Sequence, residues 1–177
     1  MVTKTVLEKT TRFATKHFKV GVISPLTNKR NAKNFFQACE AACELGFVIS
    51  VLAVGDEDSQ AKCFELEKHY PEQFEVLEAI PKNKSYILNH VDIVLFPATP
   101  SEDNLKKVMK KGIVPIMPYQ KDFSNFDAQK EEGNAFLFKE DSFWELLATM
   151  IRAFENFKFS YDWGNLQKHV KKTSENI

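Results

Sequence analysis

KVGVISPLTNKRNAKNFFQACEAACELGFVISVLAVGDEDS, residues 19–59, decides the fold. It opens on the apolar run Lys19-Val20-Gly21-Val22-Ile23, which is too short for a helix and reads as a buried strand. From about Lys29 to Leu45 the period changes. Phe35, Cys39, Ala42 and Cys43 fall at i, i+4, i+7 and i+8, one face of a helix. Gly46 follows, where a left-handed helix end is least costly for glycine. Phe47 to Val54 is a second near-continuous apolar run, and Gly55-Asp56-Glu57-Asp58-Ser59 a turn into another helix. A strand, a crossover helix and a second apolar strand make the repeating unit of a parallel sheet covered by helices.

The same alternation continues along the chain. The second helix ends by Tyr70, ahead of Pro71, because the residue before a proline disfavours the helical region. Phe74 to Leu77 reads as strand three, Lys84 to Asn89 as a short helix and Asp92 to Phe96 as strand four, stopped by Pro97. A helix from Glu102 to Lys111 closes at Gly112, and Ile113 to Met117 is strand five. After a polar loop over Pro118 to Glu132 comes a short strand, Ala135 to Phe138. Phe143, Leu146, Leu147, Met150, Ile151 and Phe154 then fall at helical spacing, with Asp141 or Ser142 as N-cap. The reading is a doubly wound α/β domain with a mostly parallel sheet over residues 19–177, preceded by a polar linker or arm, residues 1–18. In such sheets ligands bind beyond the carboxyl ends of the strands, where the strand order reverses.

Bulk composition narrows the partners. The chain has 177 residues, 44% of them hydrophobic, and its 24 Lys+Arg balance 24 Asp+Glu. That is a globular composition with no overall basic excess to attract nucleic acid or an anionic membrane. The three cysteines form no CxxC spacing. Cys39 and Cys43 lie one turn apart on the apolar side of their helix, a place for small buried thiols rather than for a metal pair. The N-terminus lacks the apolar core of a signal peptide, and no run reaches the length of a membrane span. A soluble, cytoplasmic protein in a reducing compartment is expected. The four histidines, at 17, 69, 90 and 169, form no HExxH motif and no triad spacing.

Three motifs lie on the loops at those carboxyl ends. Ile23-Ser24-Pro25-Leu26-Thr27-Asn28-Lys29-Arg30-Asn31 resembles the I-S-R-L-T-x-Q-K-G motif of glycogen/starch-synthase-type glycosyltransferases. Leu52-Ala53-Val54-Gly55-Asp56 resembles their strand and G-x-G-D turn. Asp92-Ile93-Val94-Leu95-Phe96-Pro97-Ala98 resembles their A-D-x-x-L-x-P-S strand, and Gly112-Ile113-Val114-Pro115-Ile116 their G-x-x-P-[IV] helix end. Gly133 to Phe138 and Trp163-Gly164-Asn165-Leu166 resemble two structural motifs further on, G-x-G-F-x-F and W-x-x-L. The resemblance covers roughly residues 19 to 170. It implies the C-terminal, donor-binding half of a GT-B enzyme, a Rossmann-like domain.

The positions that handle the donor depart from that pattern. In the family an Arg and a Lys neutralise the donor's diphosphate as charge develops on the leaving group. Here Pro25 stands for the Arg, Lys29 for the Gln, Arg30 for the Lys and Asn31 for the glycine. Pro25 carries neither charge nor backbone donor, so one clamp is gone. The family's E-P-x-G segment, whose Glu sits beside the reacting sugar, is replaced by Thr99-Pro100-Ser101-Glu102-Asp103-Asn104. With the loop two residues short, Ser101 or Glu102 takes the place of that Glu; aligned without a gap, Thr99 does. Ser101-Glu102-Asp103 also makes a good helix N-terminus. Tyr119 to Phe123 lacks the family's Gly-Gly turn.

The resemblance therefore implies hexosyl transfer from a nucleotide sugar, ADP-glucose or UDP-glucose, with no metal and no cofactor. Ser24, Lys29, Arg30 and Gly55 would bind the donor and its phosphates, and Glu102 would be the catalytic carboxylate. A separate acceptor-binding N-terminal domain or partner protein would be needed, because a lone donor half cannot exclude water or orient an acceptor. Weak or no activity is expected of this chain alone. The alternative is a non-catalytic protein-interaction module on the same fold.

Overall fold

Six strands carry the chain back and forth through one sheet. The computed structural model describes residues 18–24, 29–53 and 55–177, and of residues 29–31 the backbone alone. The expectations for the N-terminal arm before Phe18, for Pro25 and for the side chains of Lys29 and Arg30 lie outside the described residues. In chain order the elements are β1 (Lys19–Val22), α1 (Lys29–Glu44), β2 (Val48–Leu52), α2 (Glu57–His69), β3 (Phe74–Leu77) and α3 (Pro81–His90). They continue with β4 (Ile93–Leu95), α4 (Glu102–Lys110), β5 (Val114–Pro118), β6 (Phe136–Phe138), α5 (Phe143–Phe157) and α6 (Ser160–Thr173). The sheet order is β3-β2-β1-β4-β5-β6 and every pairing is parallel. The order reverses between β1 and β4, as a doubly wound sheet requires.

Each strand is buried along nearly its whole length, which is why the sequence shows continuous apolar runs rather than alternation. Helices α1, α2 and α5 pack together on one face, while α4 and α6 pack together on the other. Helix α3 lies over β1 and β2 and joins α4 through the Lys84 ammonium, which donates to Asn104 Oδ1 at 2.6 Å. Gly21 makes that packing tight. A Cβ built on it would stand 2.6 Å from Ile87 Cγ2 and 3.2 Å from both Val91 methyls. The sheet edge at β3 is blunted by α2, whose Glu67 carboxylate accepts the Val76 N–H at 3.2 Å.

Below the sheet, at the amino ends of the strands, aromatic rings close the core. Phe18 sits 5.3 Å from Phe47, 5.0 Å from Phe157 and 6.2 Å from Trp163, and Phe157 meets Trp163 edge-to-face at 5.2 Å. Phe18 is only 2% exposed, so the last residue of the expected arm belongs to the core. Edge-to-face pairs of this kind contribute about 0.5–1.5 kcal/mol each beyond their buried area.

Helix α6 was not expected from the sequence. It begins after Phe159, a residue with no capping side chain, so no start signal marks it. Its buried face, Trp163, Leu166 and Val170, carries the i, i+3, i+7 spacing that a periodicity count could have found. The connection from β5 to β6 has no helix of its own, and α6 covers β5 in its place. It is pinned there by Gln167 Nε2 donating to Gly112 O at 3.1 Å and by Asn134 Nδ2 donating to Thr173 Oγ1 at 3.2 Å. Helix α3 also begins earlier than expected, with Pro81 in its first turn, because proline's fixed φ suits a helix start.

Candidate functional site

The site follows from where the strands end. Continuing the β1–β4 register beyond Gly21↔Val94 sets Ser24 level with Pro97, on either side of the point where the sheet order reverses. Beyond β1, Ser24 Oγ is buried and has no hydrogen-bond partner among the described residues. Helix α1 starts at Lys29, so its first turn directs backbone N–H donors and the positive end of its dipole to this edge. Beyond β2, Gly55 has φ 145°, backbone essentially reserved for glycine. Its carbonyl accepts from Gln60 Nε2 at 3.0 Å, and Asp56 caps α2 by accepting the Ser59 N–H at 2.8 Å. The turn is thus braced by the helix it starts.

Beyond β4, Pro97 is buried while Ala98, Thr99, Ser101 and Glu102 are exposed. Ser101 caps α4 by accepting from the Asn104 N–H. Glu102 and Asp103 occupy the first helical turn, where carboxylates offset the helix dipole. Asp103 is engaged by Lys107 at 2.6 Å, whose hydrogen bond holds its carboxyl below the usual range. Burial pushes the Lys84 ammonium, which bonds Asn104, below its ordinary pKa. Of the three positions weighed for the family's Glu, Ser101 is committed to a cap. Thr99 and Glu102 face solvent.

Glu102 lines a groove of about 690 Å³ bounded by Pro100, Leu105, Gln120, Phe123 and, from α6, Lys172 and Thr173. The α6 wall has no start signal in the sequence, whereas Gln120 and Phe123 belong to the Tyr119 to Phe123 loop that lacks the Gly-Gly turn. A larger groove of about 880 Å³ runs between α1 and α2, floored by Ala32, Phe36 and Leu66. It meets the carboxyl edge at Ala32, in the first turn of α1, and at Asp56, Asp58 and Ser59, and carries charges of both signs. The switch-point edge is the better candidate, because Ser24, the α1 N-terminus, Gly55 and the β4 loop all border it.

Two further contacts hold this edge in place. Asn34 Nδ2 donates to the Asp141 backbone oxygen and to Asp141 Oδ1, both at 2.9 Å, tying α1 to the loop after β6. The Glu145 carboxylate accepts the Lys139 N–H at 2.8 Å and the Glu140 N–H at 3.3 Å. The first had no signal in the sequence, since it joins residues 107 positions apart. In the loop after β5, where the Gly-Gly turn is missing, Tyr119 stands 55% exposed with Lys139 Nζ 5.9 Å from its ring centroid. Cys39, Cys43 and Cys63 are buried free thiols. Among the described residues no group of three or more His, Cys, Asp or Glu side chains is arranged to hold a metal ion. None of their helices is long and apolar enough to cross a membrane.

An all-parallel, doubly wound sheet whose strand order reverses between β1 and β4 is the Rossmann-like α/β domain found in GT-B glycosyltransferases. In sequence the chain is similar to a glycogen synthase from Marinomonas sp. (strain MWYL1), 29% identical over 154 residues, which is 85% of this chain and 32% of that protein. It thus spans about a third of the length of that relative. No protein-family model matches the chain. In fold it is similar to the catalytic domain of starch synthase IV from Arabidopsis thaliana, solved with ADP and acarbose. The TM-score is 0.69 at 17% identity, covering 89% of this chain and 35% of that one. Anabaena HepE, solved with UDP, gives a TM-score of 0.67 at 14% identity, covering 96% and 47%. The resemblance read from the motifs holds: in sequence the chain is similar to a glycogen synthase, and its fold is that of the GT-B glycosyltransferases.

Proposed function

We propose that the chain is the nucleotide-sugar-binding half of a glycosyltransferase related to glycogen and starch synthases, weak or inactive in sugar transfer by itself. The observation that supports this reading is that β1, α1, the Gly55 turn and the β4 loop meet the same carboxyl edge of the sheet, where the strand order reverses. That edge suits a nucleoside diphosphate. Backbone N–H groups and the helix dipole of α1 attract the phosphates, Lys29 and Arg30 bring positive charge to the same turn, and Gly55 lets the ligand approach the backbone. The unpaired Ser24 hydroxyl is a ready donor or acceptor for the ligand. ADP and UDP are the ligands of the Arabidopsis and Anabaena neighbours.

Glu102 is the carboxylate we assign to the sugar side. With Pro25 in place of a cation, departure of the nucleotide lacks one electrostatic clamp; a lost preorganised donor of this kind costs on the order of 100-fold or more in rate. The acceptor would come from a second domain or a partner chain, since transfer needs a closed, water-poor cleft. The buried free thiols fit a reducing, cytoplasmic setting.

Amide NMR of the purified chain, titrated with ADP-glucose and with UDP-glucose, tests the reading. Saturable shifts at Ser24, Gly55 and the first turn of α1 are expected. No shifts at millimolar ligand would refute donor binding. A second reading, a protein-interaction module on the same fold, is favoured by Trp144, which is 74% exposed at the start of α5. Shifts confined to the Trp144 surface on adding a partner domain, with none from nucleotide sugar, would select it.

A further inference from the structure

The chain is neutral overall, but its two helical layers are not. The layer of α1, α2 and α5 carries six cations against eight carboxylates. The layer of α3, α4 and α6, with Lys111 closing α4, carries nine lysines against Glu102, Asp103 and Asp162. The excess concentrates on two neighbouring helices. Lys107, Lys110 and Lys111 on α4 and Lys168, Lys171 and Lys172 on α6 are all exposed. The helices are in direct contact: a Cβ built on Gly112 would stand 2.6 Å from Lys171 Cε, and Lys106 Nζ donates to the Ile177 backbone oxygen. Of the six, only Lys107 pairs with a carboxylate among the described residues.

Two aromatic rings stand in water at the start of α6. Phe159 is 62% and Tyr161 69% exposed, and Tyr161 shares a helical stripe with Lys168 and Lys172 two and three turns on. From Tyr161 to Lys172 the stripe runs about 16 Å along α6. Helix dipoles favour lysines in last turns, which accounts in part for Lys110 and Lys171. They give no reason for exposed rings beside them.

We propose that the α4/α6 face docks on an anionic lipid bilayer. Lysines near an anionic surface act as additive point charges and need no specific geometry, while exposed aromatic rings settle at the headgroup boundary. The patch contains no arginine, the residue that recognises phosphates and bases through fixed bidentate geometry. A diffuse planar charge therefore suits it better than a nucleic acid. The patch uses none of Ser24, Lys29, Arg30, Gly55 or Glu102, and of its six lysines Lys172 alone borders the Glu102 groove, so the variants below leave Lys172 in place.

Co-sedimentation with vesicles tests it: phosphatidylcholine alone, and phosphatidylcholine with about a third phosphatidylserine, at about 0.15 M salt. Binding to the phosphatidylserine vesicles alone, released by raising the salt several-fold, is expected. K110Q/K168Q/K171Q should weaken it about 100-fold, at roughly five-fold per lysine. Replacing Phe159 and Tyr161 by serine should weaken it further at high salt, when the charge term is screened. All five positions are solvent-facing, and melting curves check that the variants fold. No sedimentation of the unaltered chain, equal binding to both vesicles, or tighter binding to a single-stranded RNA oligonucleotide would each overturn the proposal.

Discussion

Gly21 in β1 sets the distance between the sheet and α3, and replacing it should move that helix. In Gly21→Ala the new methyl would lie 2.6 Å from Ile87 Cγ2, well inside van der Waals contact. Ile87 is fully buried and β-branched, so it has almost no alternative rotamer within a helix. The strain cannot be relieved by one side chain swinging away, and α3 must shift with Val91, also within 3.2 Å. Overpacking of this kind costs about 1–3 kcal/mol. Replacing a strand glycine returns about 0.5–1 kcal/mol, so a net loss of about 1–2 kcal/mol is expected, or roughly 2–4 °C of melting temperature per kcal/mol. The partner change is Ile87→Leu, which deletes the β-branch methyl and keeps the volume; alone it should cost less than about 1.5 kcal/mol. Urea unfolding of the wild type, both single variants and the double variant completes the cycle. The double variant should be more stable than the sum of the singles by about 1 kcal/mol. Additivity within about 0.5 kcal/mol would mean that the close approach is not what limits this position.

Three other outcomes are expected. Gly55→Ala forces a side chain onto φ 145° and should destabilise the chain by about 1–3 kcal/mol while abolishing any nucleotide-sugar shifts; unchanged unfolding would refute the strained turn. Burial pushes the Cys43 and Cys63 thiols from 9.0 up to about 12. A raised folded pKa keeps its contribution below the unfolded value and loses it above, so stability should fall from pH 9 upward, by at most about 2 kcal/mol per thiol at pH 10.5. A Cys43→Ala/Cys63→Ala variant should show a shallower fall in the same denaturation series, and an identical slope would clear the thiols of the effect. Glu145→Ala leaves the Lys139 and Glu140 N–H groups to water and should cost about 1 kcal/mol, read by thermal melting; a loss below about 0.3 kcal/mol would make the loop self-supporting.

Periodicity and punctuation alone carried the six strands and five of the six helices among the described residues. Continuous apolar runs such as Ile93-Val94-Leu95 can be satisfied only inside a sheet covered on both faces, and Gly46 and Gly112 mark helix ends with positive φ. The family motifs could be read because Ser24, Gly55 and Pro97 are close to their loops in sequence. Tertiary structure decided what local signals cannot encode. The start of α6 has no capping residue, and its place over β5 depends on bonds to Gly112 and Asn134 far back in the chain. The Asn34–Asp141 tie, the α6 wall of the Glu102 groove and the segregation of lysines onto one layer arise only when distant segments meet. A local pattern fixes which face of an element seeks burial; which partner buries it, and which charges are left together on the outside, is settled by packing alone.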